Sequence, residues 1–538
     1  MTLPCLLHHT PRIWRSVLGW LATAVMLALL GGCASVLPAV DRTVIESSAI
    51  GLSKSTVLGR IASNDDPGEL KSGFRLMPLG PYSLDTRIEL ARRAQVSLDV
   101  QYYHLENDET GRWLLRAMRD AAERGVRVRL LIDDFYTGGQ DELFLAFAAH
   151  KNVEVRIFNP FCCAREKGQA GRFMASIGDW KRVNHRMHNK LFVADGAMAV
   201  IGGRTVANEY YLRNKLDNFI DVDALAVGFI VEPAQALFDR YWNALAVYPI
   251  HAVTRSALSG EALRQKFEVV TGPENTPPPG PLPATDILGY GPIAQDLDRG
   301  RLSLIWAEAY VFADHPDKPF DGEAGGELME TSVTYNVFQE LRKAQSEIVV
   351  TSPYLVPGKD GMALIRELRA RNVSVVMMTN SLGATDEPVV HLGYYDYRDP
   401  MLDLGVELYE ISSSRIKRTM RTNLLGTSLG RLHAKLAVVD RKKIFVGSMN
   451  LDPRSATINT ELGTVITSPE LASELIKVID FDRLQSAYRV RRAPDGKGLE
   501  WVVQDNDKEM VLTEEPDSTF WLRLKLRVLS PIIPEALL

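Results

Sequence analysis

The sequence contains only four cysteines in 538 residues, which is too few for a disulfide framework. Two of them, Cys162 and Cys163, are adjacent. Neighbouring cysteines close a strained ring, and no further ligands stand at a zinc-binding spacing around them. We therefore expect neither a disulfide-stabilised fold nor a metal site.

The sequence also lacks a strong excess of one charge. Its 62 Lys and Arg residues against 67 Asp and Glu residues give a net charge of −5. Polyanion-binding proteins are typically basic, so no nucleic-acid partner is expected, and any phosphate must bind at a local site. A hydrophobic content of 46% is typical of globular proteins, and the length predicts two domains of about 200 residues.

The N-terminal segment has no apolar run of the roughly 20 residues that a spanning helix needs. Residues 17–30 form an uncharged, largely apolar run of 14 residues after Arg12 and Arg15, which is typical of a signal peptide. The run ends in Leu-Gly-Gly-Cys at Cys33, which resembles the bacterial lipoprotein cleavage box. We predict a signal peptide over residues 1–32, export to the bacterial envelope and a lipid anchor on Cys33. An uncleaved anchor and a coincidental apolar start are the alternatives.

The chain repeats itself at long range. Strand-like segments at 96–103 and 348–354 follow similar basic sequences, and each is followed by an amphipathic helix and a second buried strand. The helices are predicted to end at Gly125 and near Asn372, 247 residues apart, and both residue types tolerate the left-handed conformation after a helix. The repeat predicts one structural unit written twice.

Strand-helix-strand alternation predicts an α/β fold of two similar domains, each a sheet flanked by helices, packed face to face as a pseudo-symmetric pair. A proline-rich stretch in 272–283 separates the halves. After the signal peptide, the predicted parts are a tether 33–70, a first domain 71–271, a linker 272–300, a second domain 301–490 and a C-terminal extension 491–538. Residues 520–538 mix aromatic, aliphatic and cationic residues, which suits a membrane interface or an edge strand.

Each half carries a His-x-Lys-x₄-Asp motif, and the two histidines are 245 residues apart. The motif residues are His188, Lys190 and Asp195 in the first half and His433, Lys435 and Asp440 in the second. Residues two apart on an extended strand share a face, so each histidine points the same way as its lysine. A phosphate diester would fit where the four groups meet.

Two histidines at one phosphorus atom predict nucleophilic catalysis. One imidazole forms a phosphohistidine, while the other protonates the leaving alkoxide and later deprotonates the acceptor. The lysines and nearby amide or hydroxyl groups would stabilise the developing charge, each donor by about 3 kcal/mol. The scheme requires no metal and no cofactor. The motif aspartates Asp195 and Asp440 are expected to brace the fold rather than to touch substrate.

The paired motifs resemble the phospholipase D superfamily, and the wider chain resembles its bacterial cardiolipin synthase C-type branch. The likeness runs from about residue 73 to the C-terminus and includes the segments 98–103, 127–134 and 450–455. It implies that His188 is the nucleophile and His433 the acid/base.

The resemblance also implies an acidic residue behind each histidine. The matching positions are Asp223 and Glu461, with Asp221 as an alternative to Asp223. Substrate-binding positions follow each motif, and these are Gly203, Thr205, Ser448 and Asn450. Thr205 departs from the asparagine usual in the family and lacks its two amide donors, so the first half-site is predicted to be weaker or differently tuned.

The leading hypothesis is a phosphatidyltransferase that forms cardiolipin from phospholipids, with phospholipid substrates and a membrane as partners. No motif identifies an accessory protein. One alternative is a phospholipase D-type hydrolase, because only the acceptor differs. The other is a lipid-binding lipoprotein with a vestigial site, which Thr205 alone supports.

Overall fold

The computed structural model describes residues 45–68, 70–161, 165, 168–318, 330–415, 429–480, 486–505 and 508–529. The predicted signal peptide, Cys33, the adjacent cysteines and residues 530–538 lie outside this part of the chain. No helix within the described residues has the length and apolar character needed to cross a bilayer.

The first half is built on a sheet of eight strands. All strands of this half, including one outside the sheet (β7), are β1 Ser72–Met77, β2 Ser97–Tyr102, β3 Arg127–Asp133, β4 Val153–Phe158, β5 Leu191–Ala194, β6 Met198–Gly202, β7 Asp217–Ile220, β8 Asp223–Gly228 and β9 Val247–Pro249. The order in the sheet is β1-β8-β6-β5-β2-β3-β4-β9. The central strands β2, β3 and β4 are parallel.

The helices of this half are α1 Val57–Ser63, α2 Gly80–Arg93, α3 Glu109–Glu123, α4 Asp141–Ala148, α5 Gly168–Ala175, α6 Trp180–Val183, α7 Val231–Trp242, α8 Ile250–Val253 and α9 Gly260–Thr271. The predicted amphipathic helix is α3. It begins at its N-cap Asp108, whose side chain accepts a hydrogen bond from the Gly111 N–H. It ends before Gly125, which has a φ of +98° as expected.

The second half repeats this design. Its strands are β10 Ile305–Ala313, β11 Glu347–Thr351, β12 Ser374–Asn380, β13 Glu407–Ile411, β14 Leu429–Leu432, β15 Lys435–Val439, β16 Lys443–Gly447, β17 Leu462–Thr467, β18 Ala487–Arg492, β19 Leu499–Asp505 and β20 Lys508–Leu512. The sheet order is β10-β17-β16-β15-β11-β12-β13-β18-β19-β20, so its first eight strands match the first sheet one by one. Helix α10 Ile293–Asp298 packs on the first half, where Ile293 and Leu297 enter its core. The helices of the second half are α11 Val333–Arg342, α12 Gly358–Ala370, α13 Val390–Asp403, α14 Pro453–Thr457, α15 Pro469–Asp480 and α16 Phe520–Leu529.

The two halves pack as the predicted pseudo-symmetric pair. Inner faces of both sheets enter one hydrophobic core, for example Leu131 and Val193 from the first and Val349 and Met378 from the second. The edge strands β1 and β10 also pair antiparallel, and β7 and β14 form a small parallel sheet between the halves. The α/β prediction is confirmed, and the strand pairing makes the halves one hydrogen-bonded structure.

The described part of the predicted tether differs from a free segment. Residues 45–52 run along the first half, and the backbone carbonyls of Ile45 and Ile50 accept hydrogen bonds from Arg156 and Gln235. Helix α1 follows. The segment is docked because buried arginine and amide side chains of the first half find their acceptors there.

The C-terminal extension is part of the second half. Strands β19 and β20 lengthen its sheet beyond β18. Residues 520–529 form the helix α16, so the edge-strand interpretation of this segment is wrong. Alternating apolar residues at 522, 524, 526 and 528 have the period of a strand, but here they lie on different sides of a helix.

Candidate active site

The two motif histidines line one cavity of about 570 Å³ between the halves. The cavity lies beyond the carboxyl ends of the parallel strands, where Tyr103 follows β2 and Tyr354 follows β11. His188 and His433 are both more than nine-tenths buried. The separate halves therefore bring their histidines to a shared site, as the duplicated motif predicts.

Strand pairing between the halves positions His188. Met187 forms an isolated parallel bridge with Thr460, and the His188 N–H donates to the Thr460 carbonyl at 2.9 Å. The next residue of the second half, Glu461, places Oε2 2.9 Å from Nδ1 of His188. A proton on Nδ1 donated to this carboxylate leaves Nε2 as the nucleophilic nitrogen.

His433 has the equivalent arrangement, with the two halves exchanged. Its N–H donates to the Ile220 carbonyl at 2.8 Å, at the end of the β7–β14 pair. The next residue of the first half, Asp221, places Oδ2 2.7 Å from Nδ1 of His433. The imidazole of each motif is thus hydrogen-bonded to a carboxylate of the opposite half.

The prediction that Asp223 lies behind a histidine is wrong, and the alternative residue Asp221 lies behind His433. Asp223 is fully buried, where its carboxylate accepts from Ser83 at 2.6 Å and pairs with Arg87 at 3.0 Å. Strand register explains the difference. Asp223 pairs with Gly202 in the first sheet, and the equivalent pair in the second sheet is Gly463 with Gly447. Glu461 precedes Gly463 by two residues, so its equivalent in the first half is Asp221, which precedes Asp223 by two residues. No local signal in the sequence separates Asp221 from Asp223, since both directly precede a buried apolar residue, Val222 or Ala224.

The motif lysines carry their charge into a buried site. Lys190 lines the cavity, and Nζ of Lys435 lies 3.1 Å from Nδ1 of His433. Burial lowers the pKa of Lys190 to about 7 and that of Lys435 to about 8. An anion bound between them would stabilise both ammonium groups.

The histidines are neutral at neutral pH. Burial lowers the pKa of His188 to about 4, with the charges of Lys190 and Lys435 acting in the same direction and Glu461 against it. Burial, followed by the charges of Lys435 and Lys190, also lowers the pKa of His433. A neutral imidazole is the form that attacks phosphorus, and a bound phosphate would restore the proton that the acid needs.

Two of the four predicted substrate-binding residues line the cavity. These are Asn450 and Thr205, but the Thr205 hydroxyl is already bonded to the His104 backbone. The buried Oδ1 of Asn450 has no hydrogen-bond partner among the described residues. The predicted difference between the half-sites is present, since the second half offers a side-chain amide and the first a hydroxyl with a competing partner.

Gly203 and Ser448 do not line the cavity. Ser448 is fully buried and its hydroxyl donates to Glu461. A Cβ on Gly203 would lie 2.6 Å from the carboxylate of Asp221. Ser448 therefore donates a hydrogen bond to the Glu461 carboxylate, and Gly203 leaves the space that the Asp221 carboxylate occupies.

The motif aspartates brace the turns that end their strands. The Asp195 carboxylate accepts hydrogen bonds from the backbone N–H groups of 95–97, and Asp440 does the same for 345–347. Neither lines the cavity. Of the residues predicted under the catalytic motif, these two act through the backbone, as expected for a structural role.

Several cavity residues were not predicted. The Tyr103 ring lies 5.1 Å from the His188 ring, while Tyr210 and Phe219 lie 4.9 and 5.1 Å from the His433 ring. Tyr103 and Tyr354 follow corresponding strands of the two halves, and this repeated position in the sequence was a signal for the cavity. Further unpredicted lining residues include the aromatic side chains of Phe135, Tyr136, Phe173 and Trp180 from the first half and the carboxylates of Glu209, Asp386, Glu387 and Asp452 from both halves.

Among the described residues, no group of three or more His, Cys, Asp and Glu side chains is arranged to hold a metal ion.

Comparison with known proteins agrees with this geometry. The family model for the cardiolipin synthase, PLD-like domain matches twice, at residues 88–242 and 337–483. Cardiolipin synthase C of Escherichia coli K12 is 35% identical over 462 residues, covering 84% of this chain and 93% of that protein. An uncharacterized protein of Helicobacter pylori 26695 is 30% identical over 512 residues, covering 92% and 96%.

The fold also matches a solved structure. The crystal structure of phosphatidylserine synthase from Haemophilus influenzae Rd KW20 superposes with a TM-score of 0.56 at 14% identity, covering 86% of this chain and 95% of that one. The two family matches fall on the two structural halves and contain the two histidine motifs. The chain therefore belongs to the phospholipase D superfamily, within its cardiolipin synthase-like phosphatidyltransferases.

Proposed function

We propose that this protein forms cardiolipin by transferring a phosphatidyl group from one phospholipid to a hydroxyl of a second. The observation that carries the proposal is the crossed arrangement of His188 with Glu461 and His433 with Asp221 in one cavity. In this arrangement each imidazole has a carboxylate at Nδ1, which leaves both Nε2 atoms free to act on one phosphate diester. The cardiolipin synthases among the relatives support the choice of reaction.

In the first step, Nε2 of His188 attacks phosphorus and the bond to the donor headgroup oxygen breaks. Protonated His433 gives its proton to that oxygen, and the headgroup leaves as an alcohol. Lys190 and Lys435 hold the non-bridging oxygens while charge develops there. The product of this step is a phosphatidyl group on His188.

In the second step, the acceptor hydroxyl attacks the phosphohistidine. His433 takes the hydroxyl proton as the new P–O bond forms and the P–N bond breaks, which restores neutral His188. Water in place of the lipid hydroxyl would give phosphatidic acid. Exclusion of water by the aromatic wall around Tyr103 and Tyr210 favours the lipid acceptor.

We further propose that the chain is exported and held on the membrane through a lipid on Cys33. The first docked residue, Ile45, lies 12 residues beyond that cysteine. An extended segment of that length spans at most about 40 Å, which limits the distance of Ile45 from the bilayer to that value. Mass spectrometry of the N-terminal peptide from membranes would detect a diacylglyceryl group on Cys33, and an unmodified cysteine would contradict the proposal.

Purified full-length protein on phosphatidylglycerol vesicles tests the reaction. Cardiolipin should accumulate with the wild type, fall at least a thousandfold with His188→Ala or His433→Ala, and stay unchanged with the control His251→Ala in α8. A labelled phosphatidyl group should be trapped on His188 when the wild type is denatured during turnover, and none should be trapped with His188→Ala. Phosphatidic acid as the sole product would identify a hydrolase, and full activity of the histidine variants would identify a vestigial site.

A further inference from the structure

Helix α16 presents an exposed apolar face in a cation-rich segment. Phe520, Trp521, Leu524 and Val528 are 63%, 74%, 40% and 62% exposed. At 3.6 residues per turn, these four positions fall within roughly 100° of the helix circumference. Large side chains at this exposure on one helical face are typical of an interaction surface.

The opposite face of α16 is anchored next to the cavity. Leu526 is buried and, with the half-buried Leu522, packs against Leu382 and against Leu392 and Tyr395 of α13. Val390, the first residue of α13, lines the cavity together with Val389 just before it. Only one layer of side chains therefore separates the exposed face of α16 from the helix that forms the cavity wall.

The other side of the cavity mouth is apolar as well. Trp180 lines the cavity and is 43% exposed. Met174, which follows the cavity residue Phe173 in α5, is 70% exposed. Ion pairs from Arg165 and Arg172 to Asp134 hold this segment in place.

The charge of the segment selects the occupant. Residues 518–534 contain Arg523, Lys525 and Arg527 and no acidic residue. An apolar helical face beside cations suits the boundary between anionic headgroups and acyl chains. Arg523 and Lys525 flank the apolar face on opposite sides, and Arg523 also pairs with Glu514 at 3.3 Å.

We propose that α16, together with the rim at Met174 and Trp180, docks on the surface of an anionic phospholipid bilayer and turns the cavity mouth towards it. This inference rests on the proposed function for its lipid substrates. It assigns α16 a task that no catalytic residue performs, which is to bring the mouth to substrates that stay in the bilayer.

A membrane-confined photoreactive lipid tests the contact without requiring catalysis. Full-length protein with His433→Ala is bound to phosphatidylglycerol vesicles that contain a phospholipid with a photoactivatable acyl chain. After irradiation, peptides covering 520–529 and 173–180 should carry the label, and peptides around Leu70 should not. Leu70 is a matched control because it is 68% exposed and lies two residues before β1, at the end of that strand away from Asp223.

A functional experiment separates docking from chemistry. The double variant Trp521→Ser/Val528→Ser should lower cardiolipin formation on vesicles at least tenfold. Its hydrolysis of soluble bis(p-nitrophenyl) phosphate should stay within twofold of the wild-type rate. The control Leu70→Ser should keep both activities within twofold of wild type. Absent or uniform labelling, equal loss of both activities, or cross-links between two copies through α16 would each overturn the inference. Labelling of α16, combined with a wild type that forms no cardiolipin, would instead overturn only the proposed reaction.

Discussion

Asp221 and Asp223 stand two residues apart and serve different groups. Asp221 bonds Nδ1 of His433, whereas Asp223 neutralises the buried Arg87. The first contact concerns the tautomer of a catalytic imidazole. The second keeps a buried guanidinium paired, and loss of one partner of such a pair typically costs about 3–5 kcal/mol.

Asparagine at each position distinguishes the two roles. Asp221→Asn should lower kcat by about 10²–10⁴ with little change in unfolding free energy, because the histidine loses its orienting acceptor. Asp223→Asn should lower the unfolding free energy by about 3 kcal/mol or more. Hydrolysis of a soluble diester and urea unfolding measure the two effects, and the reverse assignment would contradict the structure.

The depressed histidine pKa values make anion binding depend on pH. A bound anion favours the protonated imidazoles, so their pKa values rise on binding and protons are taken up. Affinity for sulfate should therefore increase as pH falls from 8 towards 5, by up to about tenfold per pH unit for each proton taken up. At pH 6, below the lysine pKa values of about 7 and 8, this uptake reports the histidines.

Calorimetry at pH 6 in two buffers with different ionisation enthalpies measures this uptake. The His433→Ala variant is the control and should take up fewer protons. A sulfate affinity that is independent of pH between 5 and 8 would show that the bound anion does not change the pKa values of the imidazoles.

At the scale of elements, the turns after β5 and β15 explain the aspartates of the motif. Asp195 and Asp440 have φ values of +53° and +51°. Their carboxylates fix the start of β2 and β11 through backbone N–H groups. The motif therefore ends in a residue that joins two neighbouring strands behind the catalytic histidine.

Asp195→Asn should destabilise the fold by about 1–3 kcal/mol, because a buried charged acceptor of three backbone donors is replaced by a neutral one. Asp440→Asn should cost less, since Asp440 is half-buried and water can replace its bonds. Both variants keep a side chain that tolerates positive φ. Denaturant unfolding measures the difference, and a loss of kcat in the folded variants beyond about twofold would argue for a role in catalysis.

The helices and strands differ in how well the sequence alone predicts them. The helices α3 and α12 and the strands β2 and β11 follow from local periodicity and end residues, so they were predictable. Helix α16 was not, because seven alternating residues fit a strand and a helix equally well and tertiary contacts of Leu526 decide between them.

At the scale of the whole molecule, the halves form one unit. The β1–β10 pair, the β7–β14 pair and a shared core join them, and Arg454 of the second half donates to Asn184 of the first at the cavity. The part of the linker at Gly280 contributes less, because Gly280 is exposed and a Cβ there would touch nothing within 4 Å.

A chain cut at the linker should therefore stay assembled. A protease site inserted after Gly280 and cleaved should give two fragments that co-elute and retain at least a third of the activity. Uncleaved protein with the same insertion is the control. Separation of the fragments without denaturant would show that the linker, rather than the interface, holds the halves together.

The sequence by itself determined the duplicated α/β unit, the paired His-x-Lys-x₄-Asp motifs and the family. These depend on local periodicity and on spacing that is repeated within the chain. Tertiary structure alone decided which carboxylate serves which histidine, because the partners lie 273 and 212 residues apart and meet only through strand pairing between halves. A hydrogen bond across such a distance depends on strand register, and a shift of two residues separates Asp221 from Asp223.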